Sequence, residues 1–284
     1  LDVTFYGVRG STPCSCDGNR RYGGNTSSVV LRSGDADPIL LDLGTGLRFF
    51  GLDHPCDDPL RAHALVTHLH WDHVQGLPFC APLLCPGAEL TVHGPPDGLR
   101  SFGEAFDAIM TPPFFPVQAQ DMSADIEFVT LSTGTCHIAG AKVTAARVPH
   151  TGETFGYRVE RDGVSVAYVS DHQQPVDDPS FIEPAVLELC DGVDLLIHDA
   201  QYTPDEFVLK SNWGHCTVDY AVHVAAEAGA RSLALFHHDP SHDDDSVDLI
   251  SLAAAEMGAD RGVDVVFAAA EGLSLSLQPS RVRA

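Results

Sequence analysis

The sequence predicts an α/β protein in which two β-rich halves, each with its own helices, form a single domain over residues 1–284. Three observations predict it. Hydrophobic residues make up 44% of the chain and are punctuated regularly by Gly and Pro, as in a globular core. Apolar runs of strand length gather early in the chain and again after residue 125, with helical patterns between and after them. No linker and no residue-level repeat interrupts a length that one large α/β domain can fill.

Taken in order, residues 2–8 alternate like a strand, and 9–24 form a polar, Gly-containing loop. Residues 27–32 and 38–43 read as strands joined by a Ser33-Gly34-Asp35 turn, and 62–66 as a short buried strand. Residues 78–86 form an apolar loop, followed by a strand at 89–93. The pattern predicts a helix over 102–110, which the prolines 112, 113 and 116 stop. That stiff aromatic segment can wall a pocket, cover a subunit surface or simply pack in the core. Strands follow at 126–131, 142–148, 155–160 and 164–169, the last two joined by an Arg161-Asp162-Gly163 hairpin turn. A helix at 181–190 and a strand at 193–197 come next. The helix at 217–228 has Thr217 as N-cap and Gly229 past its end. A strand at 232–236 precedes a helix at 243–257, whose Asp-rich first turn suits the helix dipole. Strands at 263–267 and 273–277 finish the sheet.

The chemistry concentrates just past the strand at 62–66. His68, His70, Asp72 and His73 form the pattern H-x-H-x-D-H, four ligand side chains within six residues. His68 and His70, two apart on an extended segment, point the same way. Asp72 and His73, on the following turn, can face a second point a few ångströms away. One short segment can therefore hold two metal ions side by side. Imidazole with carboxylate suits zinc first, with manganese or iron(II) as alternatives, over calcium or magnesium.

A dinuclear site needs about three more ligands. His150, Asp171 and His237 each follow a predicted strand, where α/β folds gather their sites. One ion would take His68, His70 and His150, the other Asp72, His73 and His237, with Asp171 between them. Five neutral imidazoles and two carboxylates around two divalent ions leave a charge of about +2, suited to a phosphodiester monoanion or a polarised carbonyl. Asp42, closing the third strand, is either an acceptor behind these ligands or a helix cap.

Composition narrows the partners. Net charge is −24, with 40 acidic residues against 16 basic ones, and this repels long nucleic acid while leaving a small anion free to reach a local cationic pocket. No apolar run reaches membrane-span length and no signal-peptide pattern is present, so a cytoplasmic protein is expected. Eight Cys are too few for a disulfide scaffold and read as ordinary thiols of a reduced protein; the alternative for Cys14 and Cys16 is half of a structural metal site.

At these residues the chain resembles the metallo-β-lactamase superfamily, and within it the branch containing ribonuclease Z and the phosphoribosyl cyclic phosphodiesterases. The features that carry the likeness are His68-Leu69-His70-Trp71-Asp72-His73 with Gly76-Leu77, His150 followed by Phe155-Gly156-Tyr157, Leu195-Leu196-Ile197-His198-Asp199-Ala200, and Gly214-His215-Cys216-Thr217 with His237. The resemblance implies a four-layer αββα sandwich with the site at one edge. It also implies that His215 donates a proton to the leaving oxygen, partnered by Asp199, where the branch usually has Glu. True ribonuclease Z usually carries a long basic arm between the third His ligand and the bridging Asp; between His150 and Asp171 there is room for one hairpin only.

The expected function is therefore a dinuclear-metal phosphodiesterase, with a metal-held hydroxide attacking a small cyclic phosphodiester and Asp72 orienting it. A carbonyl hydrolase (lactonase, thioesterase or β-lactamase) on the same scaffold is the alternative, and a non-hydrolytic metal- or ligand-binding protein the second. The branch also implies a homodimer.

Overall fold

A computed structural model describes residues 1–54 and 56–279. Two seven-stranded mixed sheets pack face to face with helices on both outer surfaces. The first sheet draws on β1 (Asp2–Gly7), β2 (Ser28–Arg32), β3 (Ile39–Leu41), β4 (Arg61–Leu65), β5 (Glu89–Gly94) and β6 (Asp125–Thr130). The second is built from β7 (Gly134–Ile138), β8 (Ala141–Arg147), β9 (Phe155–Arg161), β10 (Val164–Val169), β11 (Leu195–Asp199), β12 (Ser232–Phe236) and β13 (Val265–Ala268). The last strand, β14 (Ser274–Ser276), returns to the first sheet and pairs antiparallel with β1. The expectation that the two C-terminal strands complete one sheet is thus corrected: β13 extends the second sheet beside β12, while β14 caps the first.

Each sheet begins with antiparallel strands and ends with parallel ones. In the first, β2 pairs antiparallel with β1 and β3, and β3 through β6 run parallel. In the second, β7 through β10 are antiparallel and β10 through β13 parallel. The parallel strands end at the same edge, so the loops that follow β4, β10, β11 and β12 meet there.

Alternating side chains build three apolar layers. Val29, Leu31, Ile39, Leu41 and Leu65 face Tyr157, Val166, Tyr168, Ile197 and Phe236 across the sandwich. On the outer face of the first sheet, Val30, Leu40 and Ala64 pack under α1 (Leu47–Leu52) and α3 (Phe102–Ile109). On the outer face of the second, Ala167, Leu196 and Leu235 pack under α4 (Pro184–Cys190), α6 (Val218–Glu227) and α7 (Asp244–Asp260). Because both faces of β2, β3, β11 and β12 are buried along nearly their whole length, these strands read in sequence as mostly continuous apolar runs rather than alternating ones.

Local chemistry explains the helix starts. Thr217 caps α6, its hydroxyl accepting the Tyr220 N–H, and Asp243 caps α7 by accepting from Ser246 N–H. Ser101 and Glu104 form a reciprocal box at α3. Among the elements not expected are α1, β7, and α5 (Pro204–Lys210). α1 is short and opens without a side-chain cap, so no start signal marks it. β7 has an exposed outer edge and mostly solvent-facing residues, which blurs its period. α5 does carry a signal, a Thr203–Glu206 capping box with Pro204 in its first turn.

The Pro112–Pro116 region divides its aromatic pair: Phe115 packs against Phe79 with ring centroids 5.9 Å apart, while Phe114 stays exposed. Cys56 and Cys85 are disulfide-bonded, which corrects the expectation that all the cysteines are free thiols. Cys14 accepts a hydrogen bond from Asn19 Nδ2, and neither Cys14 nor Cys16 belongs to any of the candidate metal-binding groups among the described residues. No helix among the described residues is long and apolar enough to cross a membrane.

Candidate metal centre

The H-x-H-x-D-H segment starts from a fixed point. As the chain leaves β4, Val66 N–H bonds to His93 O and Thr67 O accepts from Phe155 N–H, tying the exit to both sheets. His68 follows at once and is buried. His70 is extended and precedes the one-turn helix α2 (Trp71–Val74), which rotates Asp72 and His73 inward, where both are buried. His150 lies just past β8, Asp171 two residues past β10, and His237 directly after β12 with φ 59°. Gly10 lets its loop close over His237: a Cβ there would sit 2.3 Å from Nδ1 of that ring. Gly214, at φ 96°, does the same for His150, whose ring lies 2.5 Å from where its Cβ would be.

The seven candidate ligands converge around Asp171. Its Oδ2 faces His68 Nε2 at 3.7 Å and His150 Nε2 at 3.6 Å, and His150 Nε2 lies 3.2 Å from His70 Nδ1. Its Oδ1 faces His73 Nε2 at 3.1 Å and His237 Nε2 at 3.5 Å. Both of those nitrogens also approach Asp72 Oδ2, at 3.2 and 3.1 Å. One carboxylate thus stands between two clusters: His68, His70 and His150 on one side, and Asp72, His73 and His237 on the other.

Outer hydrogen bonds fix how each ring is turned. Nδ1–H of His73 donates to Asp42 Oδ2 at 2.7 Å, that of His237 to Gln201 Oε1 at 2.8 Å, and that of His150 to Gly214 O at 2.6 Å. His68 Nδ1 lies 3.0 Å from Thr67 Oγ1, which itself donates to Asp42. With Nδ1 carrying the proton, each of these rings turns the Nε2 lone pair inward when neutral. His70 is the exception and presents Nδ1. Asp42 is therefore an acceptor behind the ligands and not a helix cap: at φ 59° it also takes Thr67 N–H and Tyr168 O–H, both at 2.8 Å.

The donor set fits a pair of cations. His68 Nε2, His73 Nε2 and Asp171 Oδ1 are buried and lack any hydrogen-bond partner, yet they point at common positions. The electrostatics agree. Burial pulls the His73 pKa down, but Asp72, Asp171 and Asp42 together hold it well above the ordinary value. Burial likewise opposes protonation of His237, and Asp171 and Asp72 overcome it. Asp72 and Asp171 stay far below the usual carboxylate range because neighbouring imidazoles outweigh burial. Burial depresses His68, His70 and His150. Without metal, Asp72 and Asp171 thus favour protons on His73 and His237, in keeping with a site that calls for positive charge.

His215 and Asp199 sit at the same edge. His215 Nδ1 is 2.9 Å from Asp199 Oδ2 and 3.8 Å from Asp171 Oδ2. The shorter Asp reaches its partner because β11 carries it fully buried, with Oδ2 also accepting His172 N–H and Oδ1 accepting Gln201 N–H. His215 Nε2 is left for the pocket lined by Ser11, Asp72, Asp171 and Trp213.

Sequence reasoning missed Gln201, Ser11 and Tyr168. Gln201 orients His237; Ser11 N–H fixes Asp72 Oδ2 at 2.8 Å; Tyr168 helps hold Asp42. Each acts across the fold, and none belongs to a local pattern that would reveal it.

Residues 38–238 match the family model described as the beta-lactamase superfamily domain. Among similar curated proteins, ribonuclease Z of Brevibacillus brevis is 29% identical over 288 residues, covering 87% of each chain. Among solved structures, the metallo-beta-lactamase fold protein YhfI of Bacillus subtilis aligns with a TM-score of 0.73 at 18% identity, covering 96% of this chain and 98% of that one. A diphosphatase of the PhnP family aligns with a TM-score of 0.68 at 21% identity, covering 98% of both. At these identities the two structures bear on the fold alone.

Proposed function

This chain belongs to the beta-lactamase superfamily domain family, and we propose that it is a metal-dependent phosphodiesterase acting on a small, cyclic phosphodiester. The observation that carries the reading is the His215–Asp199 pair at 2.9 Å beside the ligand cluster. A carboxylate that accepts from Nδ1 keeps the ring oriented with Nε2 toward the pocket, where it can hand a proton to a departing sugar oxygen. An unprotonated sugar alkoxide leaves poorly, so this proton lowers the barrier for a diester with no activated leaving group. The ribonuclease Z relative supports phosphodiester chemistry by its name.

The ligand roles follow the geometry. His68, His70 and His150 would hold one divalent ion, and Asp72, His73 and His237 the other, with one oxygen of Asp171 toward each. Such ions polarise phosphoryl oxygens and make bound water acidic enough to supply a nucleophile at neutral pH, and nitrogen-rich ligation favours zinc. Asp72, pinned by Ser11 N–H, lines the pocket and orients the attacking water. Asp42 and Gln201 keep the lone pairs of His73 and His237 aimed inward. Asp199 holds His215 until its Nε2 proton passes to the leaving oxygen.

A small substrate is favoured by three features. The pocket measures about 610 Å³, a size for a mononucleotide. The net charge of −24 repels polyanions. The stretch between His150 and Asp171 is taken up by the β9–β10 hairpin, which belongs to the second sheet.

The test is hydrolysis of bis-p-nitrophenyl phosphate beside a lactone and a chromogenic cephalosporin, with protein reconstituted in zinc or manganese. Diester cleavage lost on chelation is expected, with only a small loss in His215→Ala on this activated ester and a large one on a diester with an alkyl leaving group. Lactone or lactam cleavage indifferent to His215, with no diester cleavage, would move the protein to the carbonyl hydrolases.

A further inference from the structure

The chain has two tryptophans, and both line the pocket beside the ligand cluster. Trp71 is 71% exposed and Trp213 is 61% exposed. Neither ring serves the core, although a Trp contributes more by burial than almost any other side chain. Backbone connectivity holds them at the rim. Trp71 lies between His70 and Asp72 on the one-turn helix α2. Trp213 precedes Gly214 and His215 on a loop fixed at several points: Trp213 N–H bonds to Lys210 O at 3.0 Å, Gly214 N–H to Gln173 Oε1 at 2.8 Å, and Gln173 Nε2 to Ser211 O at 2.9 Å. The Trp213 ring is further steadied by the ammonium of Lys210, 5.8 Å from its centre and anchored to Asp239 at 2.8 Å. The ring is thus pre-positioned while most of its surface stays open to solvent.

The rest of the lining is informative too. Among the described residues lining this pocket there is no Arg or Lys, so no basic Arg or Lys side chain in its walls offers an ion pair to a second phosphate. Asn212 stands in the same wall with an amide able to pair with a base edge.

We propose that Trp71 and Trp213 form an aromatic subsite that stacks on a nucleobase, so that the substrate is a mononucleoside phosphodiester, a cyclic nucleotide bearing a single phosphate, rather than a base-free sugar phosphate. This rests on the phosphodiesterase reading and narrows it. Base–aromatic stacking tolerates any base, because every base has a π-face, and it contributes enough to matter beside one phosphate.

Because these are the chain's only tryptophans, its tryptophan emission reports on this subsite alone. Metal-loaded protein would be titrated with adenosine 5′-monophosphate and, in parallel, with ribose 5-phosphate, and affinities of variants measured by calorimetry. The expected result is saturable quenching by the nucleotide, at least tenfold tighter binding of it than of ribose 5-phosphate, and about a tenfold loss in Trp213→Ala that Trp213→Phe largely restores. Equal affinity for the two ligands in the wild type would overturn the subsite without recourse to any variant, as would nucleotide binding unchanged in Trp213→Ala. The two readings separate cleanly. Hydrolysis of a base-free ribose cyclic phosphate as fast as of 2′,3′-cyclic AMP would overturn the subsite and leave the phosphodiesterase standing. Tight nucleotide binding with no diester cleaved would support the subsite and remove the phosphodiesterase.

Discussion

Replacing Asp42 by Asn tests the logic of the centre from behind, with little change in shape. Asp42 is fully buried, and its two oxygens receive Thr67 N–H and O–H, His73 Nδ1–H and Tyr168 O–H. Its φ of 59° is one that Asn tolerates well, so the backbone has no reason to move. Asn offers one acceptor oxygen and one NH2. If the oxygen stays toward Thr67, the NH2 meets His73, which can accommodate it only by shifting its proton from Nδ1 to Nε2. That shift removes the lone pair facing Asp72 and Asp171 and disables His73 as a ligand. If the amide flips, the NH2 meets Thr67 N–H, a buried backbone donor left unsatisfied at a cost of about 1–3 kcal/mol. Losing the charge of the acceptor weakens the remaining bonds, so a total destabilisation of about 2–4 kcal/mol is expected. Metal affinity should fall about 10–100-fold, as for other groups that orient a metal-bound imidazole. The assays are denaturant unfolding of metal-free protein and metal competition against a chromophoric chelator. Metal affinity within twofold of wild type, with stability unchanged, would refute the orientation argument.

Two further outcomes follow from the same structure. His215→Ala should slow diesters with alkyl leaving groups about 10²–10⁴-fold while slowing p-nitrophenyl esters far less, because a good leaving group needs no proton; equal losses across a leaving-group series would remove His215 as proton donor. Burial on β5, with the nearby His63, lowers the His93 pKa to about 4. The folded protein therefore resists protonation that the unfolded chain accepts near 6.5, so stability is present above that pH and is lost as pH falls toward 4. Allowing for partial water access, the share of that loss due to His93 should be about 2 kcal/mol, read as the difference between wild type and His93→Gln in denaturant midpoints between pH 7 and pH 4.

The sequence by itself singled out the His and Asp side chains that the fold brings together and the strand-to-loop logic of the candidate site. His68, His70, Asp72 and His73 are legible because they lie within six residues on one chain segment, where spacing is geometry. His150, Asp171 and His237 are legible more weakly, through the rule that strand ends gather sites; Asp199 and His215 were legible only through resemblance, since nothing in their local spacing pairs them. β2, β3, β11 and β12 were readable because burial on both faces leaves mostly apolar runs, whereas α1 and β7 lack a cap or a clean period.

Only the tertiary structure decided the rest. Which sheet β14 joins depends on the free edge of β1, a partner 270 residues distant at the Thr4–Ser274 pair. That Asp42 serves His73, that Gln201 serves His237 and that Ser11 fixes Asp72 are contacts between segments far apart in the chain. The division of Asp171 between two clusters, one oxygen to each, is likewise a fact of assembly. Side-chain identity fixes what a residue can donate, accept or ligate. The direction in which it does so depends on the packing of two sheets, and no local pattern encodes that.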